Sequence, residues 1–362
     1  MASVYLVDLE AVETRYTGQW KDHIPRLLIG AGHDVQVISG PTDIPSATTP
    51  GAFLNFGGTN IYKSAQVEQI GRLFCAGSVS PGSHFIFTDA WHPGIINLKY
   101  MSELLGIPVK IHALWHAGSY DPQDFLGRLI GAAPWVRNAE KAFYEAADHN
   151  YFATQFHIDM FAQNLFEAWG DREYWLDQQL LNRKIIRSGW PMDYLSRVLL
   201  ESSKRTKRDL ILFPHRIAPE KQVEIFKDLA TALPEYEFVV CQEKNLTKLE
   251  YHAMLGEAKI VFSANLQETL GISCYEALCV GAMPLVPDRL SYSEMYLSDS
   301  KYPSEWTANW DSYQKNKDKL VDLIRTTMQN FGTNSQRDAI VRQQQYLEEN
   351  FFSAGALLEN LR

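Results

Sequence analysis

The stretch Ser263–Asp288, SANLQETLGISCYEALCVGAMPLVPD, places two glutamates eight residues apart, at Glu268 and Glu276. An apolar helical pattern follows Glu268, ends near Gly281 and leads into a second apolar run, MPLVPD. Together with the preceding run, AKIVFSA, the pattern predicts a strand, a helix and a second, parallel strand. A helix that packs in a core has no packing reason to carry acids at its start and in its first turns. We therefore interpret the two glutamates as ligand-binding residues.

The same alternation of short apolar runs and helical patterns continues along the 362-residue chain, whose length favours two domains. A polar, basic segment, LESSKRTKRD, interrupts it. We predict an α/β protein of two Rossmann-like, doubly wound domains that face a cleft, with ligands at the carboxyl ends of the strands. The predicted parts are an N-terminal domain over 1–199, a linker over 200–209, a C-terminal domain over 210–335, and a C-terminal helix over 336–362 that could pack back on the N-terminal domain.

The composition excludes some classes of protein. There are 34 Lys and Arg against 43 Asp and Glu, a formal net charge of −9, which argues against a uniformly basic nucleic-acid binder but leaves room for a local basic groove. The four cysteines have apolar neighbours and no metal-ligand spacing, so we expect reduced core residues. No apolar run is long enough for a signal peptide or a transmembrane helix, and we expect a cytoplasmic protein without a membrane partner.

The segment PHRIAPEKQ carries two cations beside a predicted strand end. Arg216 lies in the loop, and Lys221 lies in the first turn of a helix expected to begin near Pro219. Two cations at a helix N-terminus favour a diphosphate, and a carboxylate can hold a ribose diol or sugar hydroxyls. Taken singly, each charge could equally be a solvated surface residue; the combination with Glu268 and Glu276 favours a binding site.

These motifs resemble those of a known family. PHRIAPEKQ is similar to the GR-x3-EKG signature, and ETLGISCYEALCVGAMPLV to the E-x7-E motif, of retaining GT-B glycosyltransferases of the glycosyl-transferases-group-one type. TGQWKDHIPRLLIGAGHDVQVIS and FTDAWHPGIINLKYMSELLGIPVKIHALWHAG resemble N-terminal segments of the same family. The chain departs from the family pattern at three positions, His215, Gln19 and Ser188, where the family has glycine, glycine and asparagine.

The resemblance implies a set of donor-site roles. Arg216 and Lys221 would bind the donor diphosphate and neutralise the leaving group, Glu276 would hold the ribose, and Glu268 would hold hydroxyls of the transferred sugar. The backbone N–H groups of Thr269, Leu270 and Gly271 would approach the donor, and so would Gly18 at the start of the first helix. His116 would lie near the reacting sugar.

The implied reaction is retaining transfer from a nucleotide sugar, with UDP-sugar as the expected donor. No metal and no cofactor are expected, because the two cations can meet the charge of the leaving group and the chain has no D-x-D string.

The N-terminal strings DLEAVETRYTGQWKDHIP and FTDAWHPGIINLKYMSELL also resemble phage-encoded glycosyltransferases that modify DNA bases. This implies double-stranded DNA with hydroxymethylated pyrimidines as the acceptor, in the host cytoplasm. The loops NFGGTNIYKS and TDAWHPG and the region from Trp115 onward are rich in aromatic and histidine residues that could orient it. The candidate acceptor residues are Asp89, His92, Trp115, Arg128 and Arg137.

Other functions remain open at this stage. The acceptor could instead be a glycan, a lipid-linked sugar or a small molecule, and the protein could be a non-catalytic sugar-nucleotide-binding protein. A Rossmann-type oxidoreductase ranks last, because no G-x-G-x-x-G follows the first strand.

Overall fold

The computed structural model describes residues 3–12, 15–45, 54–166 and 172–362. The chain forms two compact units, one of Met1–Pro191 with Ala354–Arg362 and the other of Met192–Ser353. The predicted linker, 200–209, contains a short helix and the first residues of a strand within the second unit. The end of the chain belongs to the N-terminal unit.

Within the described residues, the N-terminal unit has a six-stranded parallel sheet in the order β2-β1-β3-β4-β5-β6. Its strands are β1 (Val4–Val7), β2 (Val35–Ile38), β3 (His84–Phe87), β4 (Lys110–Trp115), β5 (His149–Phe152) and β6 (Ile185–Arg187). Its helices are α1 (Tyr16–Gly30), α2 (Phe56–Cys75), α3 (Gly94–Leu104), α4 (Phe125–Ile130), α5 (Pro134–Ala146), α6 (Gln155–Phe166), α7 (Arg172–Leu181) and, from the end of the chain, α16 (Gly355–Glu359).

The C-terminal unit has a five-stranded parallel sheet in the order β11-β10-β9-β7-β8. Its strands are β7 (Arg208–Phe213), β8 (Glu237–Val240), β9 (Ala258–Phe262), β10 (Met283–Pro287) and β11 (Lys301–Tyr302). Its helices are α8 (Leu195–Val198), α9 (Leu200–Ser203), α10 (Val223–Ala232), α11 (Lys248–Glu257), α12 (Ile272–Cys279), α13 (Tyr292–Met295), α14 (Trp310–Gln329) and α15 (Asn334–Phe351), with short 3₁₀ turns at Pro219–Lys221, Cys241–Lys244, Ser298–Ser300 and Ser304–Thr307. None of the helices in the described residues is long and apolar enough to cross a membrane.

The two sheets are typical of doubly wound folds, whose strands are buried by helices on both faces. In the C-terminal unit, β7 and β9 pair as neighbours although β8 lies between them in sequence. The chain leaves β7 toward one edge of the sheet and leaves β9 toward the other. The carboxyl ends of β7 and β9 therefore form the topological switch point of this unit, where open α/β sheets bind ligands.

The prediction of an α/β chain with two parallel sheets is confirmed, and the predicted strands AKIVFSA and MPLVPD are present as β9 and β10. Two elements differ from expectation. The segment NFGGTNIYKS, predicted as an acceptor loop, is the start of α2, because the Asn55 side chain caps the helix by accepting from Gly58 N at 2.8 Å. The two-residue strand β11 was not predicted.

The helix expected to begin near Pro219 begins later than predicted. A 3₁₀ turn covers Pro219–Lys221, Gln222 has a left-handed backbone with φ of 52°, and α10 starts at Val223. The buried Gln222 side chain donates to the carbonyls of Ala264 and Thr307, at 2.6 and 2.8 Å. These two bonds hold the backbone of Gln222 in a conformation that ordinary helix propensity would not select.

The prediction for the cysteines is correct at three positions and wrong at the fourth. Cys241, Cys274 and Cys279 are buried, whereas Cys75 is exposed. Cys75 is the last residue of α2 and follows the buried Phe74, so its apolar neighbours belong to a helix face that it does not share.

We predict different costs for alanine at two glycines with the same backbone angle. Gly271 and Gly281 both have φ of 73°, but a Cβ on Gly271 would lie 2.7 Å from the Tyr292 ring, and a Cβ on Gly281 would meet nothing within 4 Å. Gly281→Ala should lower the free energy of unfolding by about 1 kcal/mol through backbone strain alone. Gly271→Ala should cost clearly more, as measured by urea denaturation. Equal losses would contradict the close packing of Gly271 on Tyr292.

Candidate functional site

The loops that follow β7 and β9 are bonded to each other at the switch point of the C-terminal unit. Leu266 N donates to Glu220 O at 2.8 Å, and the Gln222 side chain donates to Ala264 O at 2.6 Å. Both connections run from the residues after β7 to the loop after β9. The motifs PHRIAPEKQ and ANLQETLG, separate in sequence, therefore form one structural site.

The Lys221 ammonium lies inside this site with only 7% of its side chain exposed. It donates to Gln267 O at 2.5 Å and lies 3.5 Å from Glu268 Oε2. Burial alone would raise the pKa of Glu268, but the Lys221 ammonium, helped by the N–H groups of Gly271 and Leu270, outweighs burial, and the pKa is lowered. The structure thus brings Lys221 and Glu268 together as a buried ion pair.

Backbone N–H groups surround the Glu268 carboxylate. Thr269 N and Leu270 N lie 3.2 and 3.4 Å from Glu268 Oε1. From the sequence, the N–H groups of these residues were expected to point toward a ligand, whereas in the structure they point toward the glutamate of their own loop. Consecutive N–H groups that converge on one oxygen are an arrangement suited to an anion.

The Arg216 guanidinium is held by a carboxylate one turn away. Its Nε and Nη2 lie 3.2 and 2.5 Å from Glu220 Oε1, and the Glu220 side chain is almost fully buried. Arg216 itself is partly exposed at 31%. The buried partner fixes the position of a cation that still reaches the surface, as a diphosphate-binding arginine would require.

Glu276 lies in α12, but its carboxylate has different partners from that of Glu268. Lys248 Nζ lies 2.9 Å from Oε1, and Tyr251 donates its hydroxyl to Oε2 at 3.0 Å. His252 Nε2 is 3.7 Å away. Burial would raise the pKa of Glu276, but Lys248 and His252 lower it to about 2. The carboxylate is therefore ionised and held in place by α11.

Four side chains that the sequence analysis did not select complete this site. Gln267 and Lys248 contact predicted residues directly, and Tyr251 orients Glu276. Arg289 binds the loops after β9 and β11 through bonds to the carbonyls of Asn265, Ala264, Ser304 and Thr307, at 2.7–3.2 Å. Of these four, only Lys248 lies at a position that the sequence marks: it is the first residue of α11, whose N-terminus has a capping box formed by Thr247 and Glu250.

In the N-terminal unit, His116 follows β4 and is held on all sides. Its Nδ1 lies 2.6 Å from the Tyr16 hydroxyl, and its Nε2 lies 2.6 Å from Thr88 O. The ring stacks on Trp190 with centroids 4.7 Å apart. Burial lowers the pKa of His116, although Asp89 opposes this effect. The imidazole is neutral at pH 7: Nε2 donates to the Thr88 carbonyl, and Nδ1 accepts from Tyr16.

Asp89 and His92 belong to a polar network after β3. Lys63 Nζ lies 2.6 Å from Asp89 Oδ2, and the pKa of Asp89, which burial would raise, is lowered to about 2 mainly by Lys63. His92 Nε2 lies 3.0 Å from Gln66 Oε1, and burial lowers the pKa of His92 to about 3. Asp89 is therefore an ionised, partly buried carboxylate, and His92 is a neutral buried residue.

The remaining predicted residues have contrasting environments. Trp115 is fully buried and donates its indole N–H to Asn150 at 2.8 Å, so it has no surface that an acceptor could contact. Arg128 and Arg137 are exposed on α4 and α5. Arg137 also lines a cavity of about 510 Å³ beside Tyr120. Gly18 is in the first turn of α1, with its N–H bonded to Arg15 O at 3.3 Å.

Comparison with known proteins agrees with this architecture. The catalytic domain of starch synthase IV from Arabidopsis thaliana has 11% sequence identity and a TM-score of 0.60, with 100% of this chain and 98% of that chain covered. A glycosyltransferase from Rickettsia africae has 13% sequence identity and a TM-score of 0.61, with 99% of this chain and 96% of that chain covered. HepE from Anabaena has 11% sequence identity and a TM-score of 0.54, with 100% of this chain and 98% of that chain covered. The chain has the GT-B fold.

Sequence comparison adds nothing to this finding: no protein-family model and no curated protein matches the chain. At 11–13% identity, the GT-B likeness establishes the fold and leaves the reaction to be argued from the site. Within the described residues of this GT-B chain, no group of three or more His, Cys, Asp or Glu side chains is placed to hold a metal ion.

We predict that the Lys248–Glu276 pair makes stability depend on pH in a defined window. Because the folded-state pKa of Glu276 is about 2, below the ordinary value of about 4.3, its ionised form stabilises the native state above pH 4.3, and this contribution is lost as pH falls toward 2. Lys248→Met removes the main cation, so the folded-state pKa of Glu276 should rise toward or above 4.3, and the loss of stability between pH 4.3 and 2 should shrink or reverse.

The measurement is the free energy of unfolding in urea between pH 3 and 7. Lys244→Met, at an exposed lysine in the preceding 3₁₀ turn, makes the same change in net charge. Parallel profiles for the two variants would show that Lys248 does not control the ionisation of Glu276.

Proposed function

We propose that the protein is a retaining, metal-independent glycosyltransferase that takes a sugar from a nucleoside-diphosphate sugar, with UDP-sugar as the first candidate. The observation that carries the proposal is the switch point of the C-terminal unit, where Arg216, Lys221 and Glu268 lie on two adjoining loops. A diphosphate needs cations and N–H groups, and a sugar needs carboxylate acceptors. This site offers both.

Two of the similar structures support a nucleotide donor. The starch synthase structure contains ADP and acarbose, and the HepE structure contains UDP and glucose. The site of this chain has the chemical groups that such a ligand requires. We assign the diphosphate to Arg216 and Lys221, the sugar hydroxyls to Glu268, and the ribose diol to Glu276.

In the proposed reaction, the bond between the anomeric carbon and the diphosphate oxygen breaks, and a bond from that carbon to an acceptor hydroxyl oxygen forms. The acceptor proton passes to an oxygen of the leaving diphosphate on the same face of the sugar. Arg216 and Lys221 stabilise the negative charge that develops on the leaving group. Both cations are already held by buried partners, so little reorganisation is needed when the bond breaks.

For the acceptor, we propose the hydroxymethyl group of a modified pyrimidine in double-stranded DNA, received by the N-terminal unit. The N-terminal strings that resemble phage glycosyltransferases support this choice. So does the exposure of Arg128, Arg137 and Trp135, the last of which is 60% exposed. Exposed cations can bind phosphates, and an exposed indole can stack on a base turned out of the duplex.

A donor and acceptor panel tests the proposal. Purified protein is incubated with UDP-glucose, other UDP-sugars and ADP-glucose, each with hydroxymethylated DNA, unmodified DNA or simple glycans, and products are identified by mass. We expect a hexose mass increment on hydroxymethylated DNA with a UDP-sugar. Transfer to a glycan would replace the DNA assignment, and donor binding without transfer or hydrolysis would favour a non-catalytic sugar-nucleotide-binding protein.

We predict that Lys221→Ala and Glu276→Ala each lower kcat/KM for the donor by about 100-fold or more, because each removes a charged contact to the donor. Lys227→Ala is the matched control, since Lys227 pairs with Glu243 at 2.7 Å on an exposed surface of the same unit. Circular dichroism checks the fold of each variant. Turnover like that of the wild type in either site variant would remove the site assignment.

If DNA is the acceptor, its binding should weaken steeply between 50 and 200 mM salt, as expected when cations displace counterions from phosphates. Arg128→Ala and Arg137→Ala should reduce the slope of log Kd against log salt by about one unit each. Fluorescence anisotropy with a labelled duplex measures this slope. A flat dependence, or slopes unchanged in both variants, would argue against these residues as a DNA-binding surface.

A further inference from the structure

Two buried polar atoms beside the Lys221–Glu268 pair have no hydrogen-bond partner among the described residues. They are His215 Nε2 and Asn265 Oδ1, on the loops after β7 and β9. His215 is 6% exposed and Asn265 is fully buried. A buried polar group without a partner costs about 1–3 kcal/mol. Two of them in one cluster call for an explanation in terms of a ligand.

The neighbours of Asn265 determine which hydrogen-bonding groups remain unused. Asn265 Nδ2 lies 3.3 Å from Glu268 Oε2, 3.1 Å from the Tyr292 hydroxyl and 3.4 Å from His215 Nδ1. An ionised carboxylate only accepts, so the amide NH₂ faces Glu268 and the amide oxygen faces elsewhere. His215 Nδ1 faces an N–H donor and therefore accepts.

The proton of His215 is consequently on Nε2. Burial, reinforced by the Lys221 ammonium, lowers the pKa of His215 to about 3, so the ring is neutral at pH 7. The cluster thus contains one unused donor, the Nε2–H of His215, and one unused acceptor, the Oδ1 of Asn265.

This pair of unused groups indicates the chemical class of the ligand. A phosphate oxygen accepts hydrogen bonds only and would leave Asn265 Oδ1 unpaired. A hydroxyl both donates and accepts, so hydroxyl groups can satisfy both atoms. Glu268, which shares Asn265 Nδ2 with this cluster, is the residue assigned above to sugar hydroxyls.

We propose that His215 and Asn265 bind hydroxyl groups of the transferred sugar and act as specificity residues for it; this inference rests on the proposed function of the site. Both atoms are buried, so entry of the sugar requires side-chain movement in the loops after β7 and β9.

The test separates binding of the sugar from binding of the nucleotide. Calorimetry measures Kd for UDP-glucose, or for the nucleotide sugar that the panel identifies, and Kd for UDP alone. His215→Phe removes the Nε2–H but keeps a ring against Phe213. The substitution should raise Kd for the nucleotide sugar about tenfold and leave Kd for UDP unchanged. The urea midpoint should stay equal or rise, because a buried donor without a partner has been removed. His215→Gln, which retains a donor, should recover part of the sugar affinity.

Tyr296→Phe is the matched control, since the Tyr296 hydroxyl, in the same unit, is also buried and has no hydrogen-bond partner in the part of the chain that the structure describes. This variant should keep wild-type affinity for both ligands. Equal weakening of UDP and the nucleotide sugar in His215→Phe would assign the contact to the diphosphate and overturn the inference. Unchanged affinities, or a loss of stability alone, would make the histidine structural. If the wild-type protein binds no nucleotide sugar, the proposed function itself fails.

Discussion

A buried ammonium must find acceptors, and the acceptors that Lys221 finds determine the arrangement of the candidate site. Lys221 belongs to the chain that follows β7, whereas the carbonyl of Gln267 and the carboxylate of Glu268 belong to the loop after β9. Leaving that charge unpaired in the interior would cost several kcal/mol. The contact therefore holds the two loops together and keeps Glu268 ionised, while Gln222 and Arg289 fix the surrounding backbone.

Three of the four cations of the site have a carboxylate partner: Arg216 with Glu220, Lys221 with Glu268, and Lys248 with Glu276; the fourth, Arg289, is bound by backbone carbonyls. Three of the four positive charges in the described site are therefore neutralised, so long-range attraction is not the main force that would draw in a diphosphate. Short-range geometry would do so, through donors that are held in place before a ligand arrives. Such an arrangement is compatible with a chain that carries a net charge of −9. Two uncharged atoms of the site, His215 Nε2 and Asn265 Oδ1, have no hydrogen-bond partner among the described residues.

The sequence predicted the strands better than it predicted the geometry of the site. Short apolar runs predicted the strands β9 and β10, but the sequence also placed Glu268 and Glu276 at the start and in the first turns of one helix. The left-handed backbone at Gly271 separates Glu268 from α12, so helical periodicity does not relate the two carboxylates. Trp115 had a similar outcome: its position at a strand end suggested an acceptor contact, and alternation along β4 directs it into the core instead.

The sequence by itself determined the order of strands and helices and the loops that carry the cations and carboxylates, because periodicity and glycine positions are local properties of the chain. Only the tertiary structure decided that β7 lies beside β9, that Lys248 reaches Glu276 across 28 positions, and that His215 meets Asn265 across 50. These pairings depend on strand order and on the burial of charge. Both result from packing the whole unit and leave no periodic trace in the chain.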